Sequence, residues 1–271
     1  MLRRTLSQNF LRETGAAEFV DLVPDGTGSL VLEVGAGEGV ITTRLAGRYD
    51  QVVAYEVDPR VARTLAARVG RLGNVRVVVG DFLTAAEPDQ PFQVVGNVPF
   101  SRTSSIVDWC LATRNMTSTT IITQLEYAKK RTGGYQRWSL LTVLTWPDFD
   151  WELRGRISRT QFRPVPRVDA GVLHLARRPA PLVLPSRFAA YRRMVELGFT
   201  GVGGTLYASL CRSYPARQLA DAFGAARLAQ GIVVAFVSPE QWLRLFEALE
   251  SRPPGGSRAD SRPGTRRSRS R

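Results

Sequence analysis

Residues 31–42 read VLEVGAGEGVIT. An apolar, β-branched run, LVLEV at 30–34, stops at Gly35, Gly37 and Gly39, and the apolar spacing then becomes helical over 38–49. A strand that ends in a glycine turn and opens a helix lets the backbone approach a ligand closely. Taken alone, the turn suits a nicotinamide or flavin dinucleotide, S-adenosyl-L-methionine, or no ligand at all.

The flanking sequence repeats the same unit. Strand-like runs at 52–57 (VVAYEV), 75–80 (VRVVVG), 92–97 (FQVVGN) and 117–125 (TSTTIITQL) alternate with helical spacing at 59–70 and 104–113. Such βα pairs predict a parallel sheet covered by helices on both faces. Two more strands, 149–158 and 170–177, are joined by RTQFRPVPRVD (159–169), whose prolines predict an irregular loop between an antiparallel pair. Beyond residue 178 the periodicity is helical over 186–250, apart from GIVVAFV (231–237), which reads as either state. The expected organisation is an α/β domain over 1–178, a small helical domain over 179–250, and a disordered Arg-rich tail over 251–271.

The chain of 271 residues carries a net charge of +13. The tail holds seven Arg against one Asp, which leaves +7 on the body. A basic body points to nucleic acid. A membrane partner is not expected, because there is no basic amphipathic helix, no apolar run of spanning length and no secretory leader. A cytoplasmic monomer is expected, with Cys110 and Cys211 as buried, reduced thiols. A single histidine, His174 in an alternating strand, cannot build a His-based metal site and reads as a packing residue.

The strand ends carry the chemistry. Glu56 closes the second strand, where a carboxylate can accept hydrogen bonds from ribose hydroxyls. Asp81 and Phe82 follow the third, suited to an adenine amine and its ring. Val40 replaces the third glycine of a dinucleotide fingerprint, and Glu38 would repel a pyrophosphate at the helix N-terminus. A cationic sulfonium fits better. The fourth strand ends in GNVPF (96–100). The Asn97 side-chain oxygen and a carbonyl at Val98 or Pro99 can accept from an exocyclic amine, more strongly as its nitrogen moves towards sp³. Pro99 restricts the backbone, and Phe100 offers a stacking face.

SQNFL (7–11), VLEVGAGEGVIT, YEVDP (55–59), GDFL (80–83), GNVPFSRTSSIV (96–107) and QFRPVPRVDAG (161–171) occur in the order and spacing of the ribosomal RNA adenine N6-methyltransferases. The sequence resembles the Erm resistance methyltransferases of that superfamily more than its KsgA-type members. Where relatives commonly carry Tyr, this chain has Phe100. The resemblance implies a Rossmann-like class I methyltransferase sheet, S-adenosyl-L-methionine as cofactor, and 23S rRNA as substrate before ribosome assembly is complete. It also implies resistance to macrolides, lincosamides and streptogramin B. By the same resemblance, Asn9 and Leu11 line the methionine side of the cofactor, Gly35 and Gly37 form the turn, and Glu56 holds the ribose. Asp81 and Phe82 meet the adenine, Asn97 touches both cofactor and target, and Phe162 packs on the flipped base.

Candidate phosphate contacts are Arg3, Arg4, Arg102, Lys129, Lys130, Arg131, Arg137, Arg154, Arg156, Arg159, Arg163 and Arg167. The alternatives are a KsgA-like small-subunit dimethyltransferase and a nucleic-acid-binding relative without catalysis.

Overall fold

A computed structural model of the chain describes residues 9–25 and 29–251. Arg3, Arg4 and all but the first residue of the Arg-rich tail lie outside those residues. A seven-stranded sheet forms the centre of the molecule. Its strands are β2 (Leu30–Val34), β3 (Gln51–Glu56), β4 (Val75–Val79), β5 (Phe92–Asn97), β6 (Met116–Gln124), β7 (Phe149–Ile157) and β9 (Ala170–Arg177), in the order β4-β3-β2-β5-β6-β9-β7. The first five are mutually parallel, and β9 runs antiparallel to both β6 and β7. The expected antiparallel pair is therefore present, at the edge of a parallel sheet.

Burial on both faces explains why LVLEV lacks alternation. Leu30, Leu32 and Val34 pack on one side with Val94, Phe92 and Trp151. Val31 packs on the other side with Val52, Val95, Phe19 and Leu45. Helices α1 (Glu13–Asp21), α2 (Thr42–Leu45), α3 (Pro59–Val69) and α4 (Thr103–Ala112) cover the parallel part. Asp58 caps α3 through the N–H of Arg60, and Pro59 takes the first turn, where no intrahelical N–H bond is lost. Three further helices follow β6 and β9: α5 (Leu125–Arg131), α6 (Leu140–Thr145) and α7 (Pro185–Gly198). They lead to α8 (Leu206–Leu210), α9 (Ala216–Ala225) and α10 (Pro239–Glu250). The last four helices close their own core around Tyr191, Phe223, Trp242 and Phe246. A capping box of Ser238 and Gln241 starts α10.

Four expectations need correction. The helix over 38–49 shrinks to the single turn of α2, because β-branched Val40, Ile41, Thr42 and Thr43 resist helix and follow three left-handed glycines. The loop 159–169 contains a short strand, β8 (Phe162–Arg163), paired antiparallel with β1 (Phe10–Leu11). Position 163 precedes a proline and so favours extended backbone. GIVVAFV forms neither expected state, only a 3-10 turn at Val234–Phe236. Cys110 is buried as expected, but Cys211 is exposed, because α8 ends at Leu210 and turns its apolar face inward through Leu206 and Leu210. His174 is the expected packing residue: Nδ1 meets the Thr120 hydroxyl at 2.8 Å, and burial pushes its pKa down to about 4.

Gly96 answers why the fourth strand carries a glycine just before its functional end. It pairs with Val34, and a Cβ there would run into the Val34 backbone. Gly96→Ala forces β5 away from β2. We expect a loss of roughly 1–3 kcal/mol in unfolding free energy, measured by urea denaturation. An unchanged midpoint would show that the two strands can part freely.

Candidate active site

The chain passes from β2 to β3 and β4 on one side of the sheet, and returns to β5 on the other. The crevice at the C-terminal ends of β2 and β5 is thus the switch point where open α/β sheets bind ligands. A cleft opens there, lined by Asn9, Phe10, Gly35, Gly37, Glu56, Val57, Asn97, Val98, Pro99 and Phe100. A second cleft shares Gly35, Val57 and Pro99 with it. That cleft continues to Asp81, Phe82, Arg102 and Ile106. Leu11 lines a smaller recess behind Gly37.

Gly35, Gly37 and Gly39 hold φ of +68°, +57° and +86°, which side chains disfavour. At Gly37 a Cβ would also meet the Phe10 ring at 3.2 Å. The Glu56 carboxylate fixes this turn. It accepts the Gly37 N–H at 2.9 Å and the Asp58 N–H at 2.8 Å, and the residue lines the cleft. Asp81 accepts from the Leu83 N–H at 3.0 Å and pairs with the Arg102 guanidinium at 2.7 Å. Arg102, expected on phosphate, is therefore engaged at the rim of the second cleft. Asn97 Nδ2 donates to the Asn9 carbonyl at 2.7 Å. This bond orients the amide, so its oxygen is free to accept. Of the two carbonyls proposed beside it, that of Pro99 accepts the Arg102 N–H at 2.8 Å. The Val98 carbonyl is left as the acceptor.

The structure brings Asn9, Leu11, Gly35, Gly37, Glu56, Asp81, Phe82, Asn97, Val98, Pro99 and Phe100 to this one crevice. It does not bring Phe162 there. The ring is fully buried beside Leu11, because β1–β8 pairing sets the two residues opposite each other against α1. Sequence reasoning missed Phe10, which lies inside SQNFL, and Val57. Val57 stays 45% exposed at the end of an otherwise buried strand. An apolar side chain next to Glu56 and outside the core pattern was the available signal.

Sequence reasoning also missed Glu33, one residue before the turn's strand ends. It is fully buried, and neither carboxyl oxygen makes a well-formed hydrogen bond, although the nearby Thr42 hydroxyl partly offsets the effect of burial. Burial, helped by the nearby Glu56, raises its pKa from 4.5 to about 8. No group of three or more potential metal ligands exists among the described residues.

The acceptors present suit a group with a cationic sulfur, a ribose and an adenine: two carboxylates and carbonyl oxygens between apolar walls, with no Lys or Arg among the residues lining the cleft at the turn. The crystal structure of the 23S rRNA methyltransferase ErmE is similar to this fold, with a TM-score of 0.86 and 48% identity over 89% of this chain and all of that one. Fold and crevice together define a methyltransferase with a Rossmann-like sheet and a helical C-terminal part. The sequence is 55% identical to an rRNA adenine N-6-methyltransferase of Streptomyces fradiae, across 93% of this chain and 81% of the relative. It is 33% identical to the mycinamicin-resistance protein MyrB of Micromonospora griseorubida, across 97% and 85%. Residues 1–251 match the family described as ribosomal RNA adenine dimethylase, and the chain belongs to that family.

Glu33 generates a pH prediction. Its folded pKa is raised, so its contribution to stability is whole below about pH 4.5 and falls until about pH 8. Glu33→Gln cannot ionise, and should gain stability relative to the wild type as pH rises from 5 to 8. Thermal midpoints of both proteins at the two pH values test this. A parallel pH dependence would show that Glu33 is ionised in the fold.

Proposed function

We propose that this chain transfers methyl from S-adenosyl-L-methionine to N6 of one adenine in 23S rRNA, and that the modification gives resistance to macrolides, lincosamides and streptogramin B. The family, the 55% identity to an rRNA adenine N-6-methyltransferase, and the likeness to ErmE and MyrB support this reading. The observation that carries the chemistry is the Asn97–Asn9 bond. It fixes the amide through one Nδ2 hydrogen and leaves Oδ1 available as an acceptor in the cleft that Val98 also lines.

Bound cofactor supplies an electrophilic methyl on a positive sulfur. Glu56 would take the ribose hydroxyls, Asp81 the adenine amine, and the Gly35–Gly37 turn the methionine end, with Asn9 and Leu11 behind it. The target adenine must leave its stack. Phe100, half-buried at the cleft, gives it a face to stack on. Asn97 Oδ1 and the Val98 carbonyl accept the two N6 hydrogens. Those bonds strengthen as the nitrogen becomes sp³ and positive, so they favour the transition state over the ground state. No side-chain base is needed to begin, and the proton lost afterwards can leave to water. Preorganisation matters here: the Asn9 bond, Pro99 and the Arg102 N–H fix the acceptors before substrate arrives.

Asn97→Ala removes one such acceptor and should lower kcat by about 10²–10³-fold. Primer extension on rRNA from expressing cells should lose its stop at one adenine. Labelled methyl should enter protein-free 23S rRNA in preference to assembled 30S particles. A full stop in the variant overturns the role of Asn97, and preference for 30S particles overturns the substrate.

A further inference from the structure

The edge of the sheet that holds the cleft carries a second surface. β6 delivers the chain at Gln124, two residues beyond the position that pairs with Asn97. Helix α5 then crosses the start of β9, close enough that a Cβ on Gly171 would meet that of Ala128 at 3.1 Å. It ends near Arg156 of β7, whose charge acts on Lys129. Three strand spacings separate β5 from β7, about 15 Å.

The turn after α5 is unusual. Tyr135 and Gln136 are consecutive non-glycine residues at φ +61° and +55°, a conformation side chains rarely adopt. The turn throws the Tyr135 ring outward, 64% exposed. Its hydroxyl is clamped: Lys129 Nζ donates to it at 2.8 Å, and it donates to the Glu126 carboxylate at 3.0 Å. Three residues after Tyr135, the Trp138 N–H donates to the Ala235 carbonyl at 2.8 Å and fastens the turn to the helical part. This places Arg137 over the Phe236 ring, 5.4 Å from its centre, with Phe236 44% exposed. Two rings that contribute little to any core are thus held outward, each beside a cation. Interleaved rings and cations are the chemistry of single-stranded nucleic acid binding.

We propose that Tyr135 and Phe236 form a stacking platform for unpaired bases that flank the target adenine. The proposal rests on the reading of this chain as an RNA methyltransferase and names a contact site that reading lacks. The platform joins the catalytic sheet to the helical part, which gives that part a share in RNA binding.

The test uses the full chain and a 23S rRNA fragment around the adenine mapped by primer extension. Tyr135→Ala and Phe236→Ala should each raise KM for the fragment about tenfold, a typical loss for one stacked base. Cofactor affinity by calorimetry should stay within twofold, which also reports folding. Tyr135→Phe keeps the ring, loses the hydroxyl, and should keep the wild-type KM. Abasic replacement of flanking nucleotides should weaken the wild type and leave the alanine variants unaffected. Wild-type KM in both alanine variants, or a Tyr135→Phe loss equal to that of Tyr135→Ala, overturns the platform. A wild type with ring-dependent binding but no methyl transfer overturns the function and spares the platform.

Discussion

One carboxylate holds the cleft in shape. Glu56 sits at the end of β3, yet it bonds the N–H of Gly37 in the neighbouring β2 turn as well as that of Asp58. Hydrogen bonds to a charged acceptor are worth more than neutral ones, and this carboxylate is only 2% exposed. Without it, three left-handed glycines would have little to select one turn conformation from many. The same carboxylate explains its neighbour. A second ionised carboxyl beneath it would be desolvated and repelled, so Glu33 takes the neutral form over a wide pH range.

The amide of Asn97 repeats this logic on the other side of the crevice. One of its Nδ2 hydrogens is taken by a backbone carbonyl 88 residues earlier in the chain. Its orientation thereby depends on where the N-terminal segment lies. That segment is held by pairing between β1 and β8, with Leu11 and Phe162 buried against each other. Phe162, fully buried, therefore bears on the site through the strand it supports. The close approach of Gly96 to Val34 sets how near the acceptors come to the glycine turn. Each constraint fixes one coordinate of the crevice.

Much of this was legible in the sequence, and the boundary is physical. LVLEV, VVAYEV and FQVVGN are buried on both faces, so composition alone marks them as strands. Their ends are marked by residues that a core would not choose, Glu56, Asp81 and Asn97. What stayed hidden depends on distant partners. Arg102 reads as a free cation until the fold sets Asp81 beside it. Phe162 reads as a loop residue until a two-residue strand buries it. The Tyr135 turn follows a short helix without a side-chain cap, and its left-handed backbone carries no glycine at the decisive positions.

The energetics of the target base explain why the crevice cannot act alone. Drawing an adenine out of its stack costs a few kcal/mol. A single stacking face, the role proposed for Phe100, would return about 1–3 kcal/mol, and the proposed amine acceptors would gain most of their strength only as reaction proceeds. Ground-state binding at the cleft thus does little more than offset extrusion. Net affinity for RNA has to come from contacts outside it, which add to binding without touching the reacting nitrogen. A body that keeps +7 apart from its tail supplies the non-specific part through phosphates. Phosphate contacts carry no information about which adenine is presented. The outward-held rings of the proposed platform would contact bases directly, and a base can reach them only where the RNA is unpaired. Selection for a bulge or junction then follows from the same contacts that supply the missing affinity.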